Sequence, residues 1–298
     1  MMYKYKNGNC NIFINPEDGT RIIHTDDDYI DLQFPLNVDV SIGRRCDGGC
    51  KFCYEGATPD GPEANLEDVP FLDSLRPYTE ASINGNSVDH PQLIPFLEKL
   101  KEKKIIANMT VNQIHFERKE ALIADLLNTG LVHGFGVSLR NPTPEFIERA
   151  QKYPTLVVHT IAGVHSKADY EALKDKGLKV LILGYKDKGR GHTYLADEKA
   201  TIDANRDYLK REIKTILENN WYPVVAFDNL ALEQLDIKHV ISEKAWEQFY
   251  QGDEGTASMF IDLTDRTFGV SSLMPREEML PITNSIDEMF ATVKKIVA

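Results

Sequence analysis

Three cysteines that lie close together in the chain have the types and spacing for metal chemistry. Cys46, Cys50 and Cys53 are separated by three and then two residues, in a segment that also contains Gly48 and Gly49. This spacing suits a compact loop that turns three thiolates toward one inorganic cluster. A [4Fe–4S] cluster is normally held by four cysteines. Three ligands would therefore leave one iron open for chemistry with a substrate or a cofactor.

Other interpretations of these thiols stay open. They could form a zinc knuckle or be a chance grouping, and the protein could be a non-catalytic iron–sulfur or zinc-binding sensor or scaffold. Structural zinc is held by four protein ligands. Neither a second Cys-x-x-Cys pair nor a histidine nearby in the sequence supplies the fourth ligand. We therefore favour an iron–sulfur cluster.

The segment resembles the cluster loop of the radical S-adenosylmethionine (SAM) superfamily. The shared pattern is Cys-x-x-x-Cys-x-x-Cys, with the aromatic Phe52 before the last cysteine and Tyr54 after it. The resemblance implies that the three cysteines ligate a [4Fe–4S] cluster whose open iron is chelated by the amino and carboxylate groups of SAM. It further implies an enzyme that cleaves SAM reductively to methionine and a 5′-deoxyadenosyl radical, which abstracts hydrogen from a substrate.

The resemblance also implies where SAM binds. Phe52 would pack near the adenine, and the backbone around Tyr54 would bond its exocyclic nitrogen. Further contacts are expected after later strands, because the loops that follow parallel barrel strands converge on one site. The cofactor-binding residues expected in this way are Phe52, Tyr54, Asn84, Gly85, Asn86, Asn112, Ser138, Arg140, Gly184 and Tyr185.

Two of these contacts have an alternative explanation. Relatives usually have Gly-Gly-Glu-Pro at the place of Asn84-Gly85-Asn86, and their glutamate adds a negative charge that asparagine lacks. The segment is either a set of acceptors for the SAM ammonium or an ordinary turn before a helix. The Arg140 guanidinium either pairs with the SAM carboxylate, which it matches in shape, or forms a surface ion pair.

Strand-like and helix-like blocks alternate along the chain, which predicts βα units and a parallel sheet. The predicted strands cover residues 37–42, 80–84, 105–112, 134–139, 155–161, 178–184 and 223–227. The predicted helices cover residues 91–103, 118–129, 144–152, 167–176 and 202–219.

The fold class that we predict is α/β, a partial (β/α)6 TIM-like barrel in a single structural domain. Residues 1–35 form an N-terminal β-hairpin with turn signals at Asn7-Gly8 and Asp18-Gly19. Residues 36–230 form the radical SAM core. Residues 231–298 form a C-terminal extension, in which two strands within 258–272 cap the open edge of the barrel.

The composition agrees with a cytoplasmic globular enzyme. Hydrophobic residues make up 42% and charged residues 27% of the 298 residues. The net charge of −12 disfavours nucleic acid as a partner. No apolar segment predicts a signal peptide or a membrane span. Cys10, the fourth cysteine, is expected to be a small semi-buried side chain, and no cysteine follows Cys53 to hold an auxiliary cluster.

The resemblance implies two partners: an external electron donor of the flavodoxin or ferredoxin type, and an unidentified small-molecule or peptide substrate. The basic loop with Lys186, Lys188 and Arg190 either holds an anionic group of the substrate or is a solvated turn. Asp228 and Asn229, after a late strand, could face the substrate. His90 and His159 are more often hydrogen-bonded core residues than proton-transfer groups.

Overall fold

The computed structural model describes residues 1–17 and 19–298, and its first element is a small antiparallel sheet. This sheet consists of β1 (Tyr3–Asn7), β2 (Cys10–Ile14) and β3 (Arg21–His24). The hairpin turn predicted at Asn7-Gly8 is confirmed, because β1 and β2 pair on either side of Gly8, whose φ is +59°. The predicted hairpin is extended by β3, which pairs with β2. Asp18, part of the second predicted turn, lies outside the described residues.

A second, larger sheet contains seven strands that follow one another in chain order, each parallel to the next. They are β4 (Asn37–Ser41), β5 (Glu80–Asn84), β6 (Ile106–Asn112), β7 (Gly134–Ser138), β8 (Leu156–Ile161), β9 (Lys179–Leu183) and β10 (Val225–Phe227). The seven predicted strands are all confirmed, each to within two residues at its ends. The α/β class with a parallel sheet is therefore confirmed.

Helices connect these strands and follow the last of them. Between the parallel strands lie α1 (Leu93–Glu102), α2 (Gln113–Arg118), α3 (Glu120–Asn128), α4 (Pro144–Ala150), α5 (Lys167–Leu173), α6 (Arg190–Asp197) and α7 (Lys199–Glu218). After β10 come α8 (Asn229–Gln234), α9 (Glu243–Phe249) and α10 (Ile286–Val297). The five predicted helices are confirmed as α1, α3, α4, α5 and α7, and the other five helices described here are additional. Within the described part of the chain, no helix combines the length and the apolar character needed to cross a bilayer.

The C-terminal region adds three strands to the large sheet. β11 (Ser258–Asp262) pairs in parallel with β4, and β12 (Thr267–Gly269) and β13 (Leu280–Pro281) continue the sheet in antiparallel fashion. The predicted pair of strands within 258–272 is confirmed. Over residues 1–17 and 19–298 the sheet does not close on itself, since its edges are β10 and β13.

The two faces of the parallel strands carry different kinds of side chain. In β5, Ala81 and Ile83 are buried and share a hydrophobic core with helix residues such as Phe96. The alternate residues of β5, Ser82 among them, are polar and only partly buried. The same alternation occurs in β6. Because successive side chains of a strand point to opposite faces, the apolar core lies between the sheet and its helices. The other face, called the inner face below, is polar in β5 and β6 and carries apolar side chains such as Leu181 and Leu183 in β9.

A buried ion-pair network joins the C-terminal strands to the region of the cysteines. Arg44 follows β4 and is only 7% exposed. Its Nη2 donates to Asp262 at the end of β11, and its Nη1 donates to Asp265 over 2.9 Å. Its Nε lies 3.3 Å from Glu55. Burial raises the pKa of Asp262, whereas the hydrogen bond from Arg44 lowers the pKa of Asp265.

Asp262→Ala should reduce the free energy of unfolding by about 1.5–3 kcal/mol, because it removes the most buried of the three carboxylates that pair with Arg44 and leaves Asp265 and Glu55 as its partners. Urea unfolding followed by circular dichroism measures this change. Asp262→Asn should recover part of the loss, since an amide oxygen can still accept from the two backbone N–H groups of the following turn. The control Asp203→Ala removes an exposed ion pair with Lys199 and should leave the midpoint unchanged. Equal midpoints for Asp262→Ala and Asp203→Ala would contradict this account.

Candidate functional site

The inner face of the large sheet borders a cavity of about 440 Å³ at the carboxyl ends of its strands. This is the place where parallel sheets gather functional groups, and the volume lies within the range of ligand pockets. Cys50 and Cys53 line this inner cavity. The predicted cofactor contacts that also line it are Phe52, Tyr54, Asn84, Asn112, Ser138, Gly184 and Tyr185.

The cysteine loop, residues 43–58, follows β4 and is closed by backbone hydrogen bonds. The Cys46 N–H donates to the Thr58 carbonyl over 2.8 Å, and the Thr58 N–H donates to the Arg44 carbonyl over 3.0 Å. Gly48 lies between two of the sulfurs. A Cβ at this position would be 3.2 Å from Cys46 Sγ and 3.9 Å from Cys50 Sγ. Glycine therefore keeps open the space that these sulfurs border.

Two of the sulfurs accept hydrogen bonds. The Gly48 N–H donates to Cys46 Sγ, and Asn112 Nδ2 donates to Cys50 Sγ, each over 3.3 Å. Burial raises the pKa of Cys46 and of Cys50, and the neighbouring thiols, including Cys53, raise both further. Three neighbouring thiols, two of which accept N–H hydrogen bonds at sulfur, suit an iron–sulfur cluster. The residues present fit this group.

The donors of the loop are not arranged for a single metal ion. In residues 1–17 and 19–298, no three His, Cys, Asp or Glu side chains form a group that could hold one ion. A cubane cluster differs in this respect, since each thiolate binds a different iron. His115 lies beside Gly48, but its Nε2 is bonded to Asp47 over 2.7 Å. Hydrogen bonds from Arg118 and His115 lower the pKa of Asp47. His115 is therefore already occupied by its bond to Asp47.

Two arginines from distant segments hold the cysteine loop. Arg140, which follows β7, donates its Nη1 to the Gly48 carbonyl over 2.8 Å. Arg190, at the start of α6, donates its Nε to the Cys50 carbonyl over 3.1 Å and its Nη1 to the Ala57 carbonyl over 2.8 Å. Arg140 borders a separate groove of about 270 Å³ and does not line the inner cavity. Its pairing with a SAM carboxylate stays a prediction.

The Asn84–Asn86 turn is divided between the inner cavity and its surroundings. Asn84 lines the cavity, and its Oδ1 is buried without a hydrogen-bond partner in the described part of the chain. Gly85 has a φ of +100° and packs against the Gly43 carbonyl, which a Cβ would approach to 2.8 Å. Asn86 donates its Nδ2 to Asp89 over 2.9 Å. Neither Gly85 nor Asn86 lines the cavity.

The opposite side of the cavity is built from Tyr54 and the segment after β9. Lys186 Nζ lies 4.1 Å from the centroid of the Tyr54 ring, and burial raises the pKa of Tyr54 well above its usual value. The Gly184 N–H donates to Asp228 Oδ1 over 2.8 Å. A Cβ on Gly184 would lie 2.4 Å from Leu230, so this position requires glycine.

Aromatic rings complete this side of the cavity. The Tyr185 hydroxyl donates to the Gly191 carbonyl over 2.6 Å, which fixes the start of α6. The Phe52 ring packs edge-on against Tyr194, with ring centroids 5.8 Å apart. Phe52, Tyr54 and Tyr185 thus give the inner cavity apolar walls near the cysteine loop.

The predicted basic loop contacts the C-terminal region. Lys186 Nζ donates to Ser272 Oγ over 2.7 Å. Lys188 Nζ donates to the carbonyls of Ser272 and Met274 over 2.8 and 3.0 Å. Lys186 lines the inner cavity, whereas Lys188 does not. The loop is therefore neither a free anion site as a whole nor a solvated turn.

Two charged cavity residues, Asp39 and Glu254, were not expected from the sequence. Asp39 lies in the middle of β4, between the buried Val38 and Val40. This alternation was a usable signal that Asp39 faces the polar side of the strand. Glu254 lies in the loop before β11, where no periodic pattern indicates its orientation.

His90 and His159 have different surroundings in the structure. His90 is buried and its Nε2 is bonded to the Ala64 carbonyl over 3.0 Å, as expected for a core residue. His159 lies on the inner face against Gly136, where a Cβ would be 2.3 Å from the imidazole. Its ring lines the inner cavity and makes no side-chain hydrogen bond in the described part of the chain. Burial lowers its pKa to about 4.

Comparison with known proteins identifies similar structures but no similar sequences. No protein-family model and no curated protein matches the chain. The crystal structure of Streptococcus suis SuiB bound to S-adenosylmethionine aligns with a TM-score of 0.59 and 13% identity, over 94% of this chain and 84% of SuiB. A second SuiB crystal structure aligns with a TM-score of 0.59 and 14% identity, over 98% of this chain and 86% of SuiB. At these identities the similarity shows a shared fold.

The buried imidazole of His159 should make stability depend on pH. Above the unfolded-state pKa of about 6.5 the ring is neutral in both states, so it has no effect. As the pH falls from there to about 4, only the unfolded state gains the proton. Stability should therefore fall by up to about 3 kcal/mol more in the wild type than in His159→Gln.

Urea unfolding of both proteins between neutral and acidic pH measures this difference. His24→Gln, at an exposed position in β3, is the control and should follow the wild-type profile. Parallel profiles for wild type and His159→Gln would show that His159 is not held neutral.

Proposed function

We propose that this protein is a radical SAM enzyme with a partial (β/α)6 barrel, in which Cys46, Cys50 and Cys53 hold one [4Fe–4S] cluster. One observation carries this proposal: the cysteine loop borders a cavity that is also lined by seven of the residues predicted to contact SAM. The shared fold with SAM-bound SuiB supports it. When bound, the cluster would supply the electron for cleavage of SAM, and an external flavodoxin or ferredoxin would supply that electron to the protein.

The residues of the inner cavity suit the separate parts of SAM. Asn84 Oδ1 is a buried acceptor without a donor, which a SAM ammonium would satisfy. Ser138, at the end of β7, offers a hydroxyl to the ribose or the carboxylate. The aromatic walls and the close-packed backbone at Gly184 offer a flat, apolar place for the adenine.

The cysteine loop is held in place by three arginines that do not line the inner cavity. Arg140 and Arg190 both bind loop carbonyls, and Arg44 anchors the start of the loop to β11. These contacts would keep the three thiols oriented when SAM enters or leaves. An iron–sulfur or zinc scaffold with no catalytic role would need the same thiols but not a ligand-sized cavity beside them, so we favour the enzyme.

Replacing Cys46, Cys50 or Cys53 with alanine should abolish both the bound cluster and SAM cleavage, because each change removes one of only three anchors. Cys10→Ala is the matched control, since Cys10 is completely buried in β2, away from the cysteine loop. Iron and sulfide content after anaerobic reconstitution, and 5′-deoxyadenosine release with a chemical reductant, measure the outcome. Loss of the cluster in Cys10→Ala, with retention in Cys46→Ala, would overturn the assignment.

Asn84→Ala should load iron normally but bind SAM more weakly. A hydrogen bond to a charged group contributes about 1.5–3 kcal/mol, so its loss should weaken SAM about ten- to a hundredfold. Calorimetric titration of SAM into the reconstituted proteins measures this affinity. Asn128→Ala, at the exposed end of α3, is the control. Wild-type affinity in Asn84→Ala would place the SAM ammonium elsewhere.

A further inference from the structure

The inner cavity has a second group of charges, away from the thiols. Asp39 comes from the middle of β4, Asp228 follows β10, and Glu254 precedes β11. All three carboxyls line the cavity, together with one cation, Lys186. Asp39 and Asp228 each interact electrostatically with Lys186, and Glu254 interacts with Lys186 and both other carboxyls. These three residues are called the acidic cluster below.

The acidic cluster lacks ionic partners of its own. In residues 1–17 and 19–298, none of its members forms an ion pair. Their hydrogen-bond donors are neutral: Asn37 Nδ2 and the Ser82 hydroxyl for Asp39, two backbone N–H groups for Asp228, and the Ser271 hydroxyl for Glu254. Lys186, the one nearby cation, gives its Nζ to Ser272 and the Tyr54 ring. Three carboxyls therefore face one cation at this end of the cavity.

Burial raises the pKa of all three carboxyls, which is the cost of enclosing them together. An opposite charge placed among buried carboxylates lowers this cost.

An independent feature also calls for a hydrogen-bond donor. The His159 imidazole is partly buried, lines the inner cavity and has no hydrogen-bond partner in the described part of the chain. It also lines a second cavity of about 630 Å³ on the same inner face, so it lies where the two cavities meet. A neutral imidazole offers an acceptor nitrogen. A ligand that donates hydrogen bonds would satisfy it.

We propose that the substrate carries a protonated amine, which binds among Asp39, Asp228 and Glu254 while SAM occupies the end of the cavity near the cysteines. This inference rests on the proposed function, because it assigns the substrate end of the same cavity. A compact ammonium has three donors and no acceptor, which matches three carboxyls that converge from different segments. His159 lines the same cavity and offers a further acceptor.

The test uses the full-length reconstituted protein with saturating SAM and three linear five-carbon probes: cadaverine, pentanediol and glutarate. Calorimetry should detect binding of cadaverine, and the other two probes should bind at least tenfold more weakly. Asp39→Asn and Glu254→Gln should each weaken cadaverine at least tenfold, the loss expected for one charge-assisted hydrogen bond. Asp207→Asn, on the exposed face of α7, is the control.

A variant expected to strengthen cadaverine binding controls for loss of folding, because a misfolded protein would not bind more tightly. Lys186→Met removes the competing cation and should strengthen cadaverine binding. Preference for glutarate, equal binding of pentanediol, or cadaverine affinity unchanged in Asp39→Asn and Glu254→Gln would overturn the inference.

The same samples separate this inference from the proposed function. The electron paramagnetic resonance spectrum of the reduced cluster is recorded with and without SAM before each titration. A SAM-dependent spectrum without cadaverine binding overturns only the amine assignment. A spectrum that does not respond to SAM overturns the proposed function, and with it the inference.

Discussion

A parallel strand turns successive side chains to opposite faces of its sheet, and the site depends on how this chain uses that alternation. On one face of β5 and β6 the residues are buried and apolar, and they pack into one core with the helices. On the inner face they are polar or small, which leaves a cavity where many α/β sheets have packed side chains. The helices thus provide most of the apolar burial, and the inner face is left for ligand chemistry.

The cysteine loop illustrates a second consequence of this arrangement. Its own backbone bonds close it at Thr58, but its orientation depends on side chains from far along the chain. Arg140 and Arg190 bind its carbonyls, and Arg44 links its start to β11. Because these contacts come from three different segments, the thiols are positioned only when the whole sheet has formed. The C-terminal strands are therefore part of the site's support as well as an extension of the sheet.

The sequence predicted the strands well because each is a short apolar or alternating segment bounded by turns or helices. It predicted the cysteine loop because the spacing of the thiols is specific. It did not predict α2, a short helix that begins directly where β6 ends at Asn112. It also did not predict α6, in which only Gly191 is buried, so that no apolar periodicity marks the helix. Asp39 and Glu254 were missed because their meeting depends on pairing of β11 with β4, a contact between residues more than two hundred positions apart.

The proposed function requires that SAM binds directly to an iron of a cluster held by Cys46, Cys50 and Cys53. Electron–nuclear double resonance of the reduced, reconstituted protein, with SAM isotopically labelled at its amino nitrogen, tests it most directly. The account predicts a hyperfine coupling from the labelled nitrogen that is absent with unlabelled SAM. An intact cluster with no such coupling at saturating SAM would contradict it.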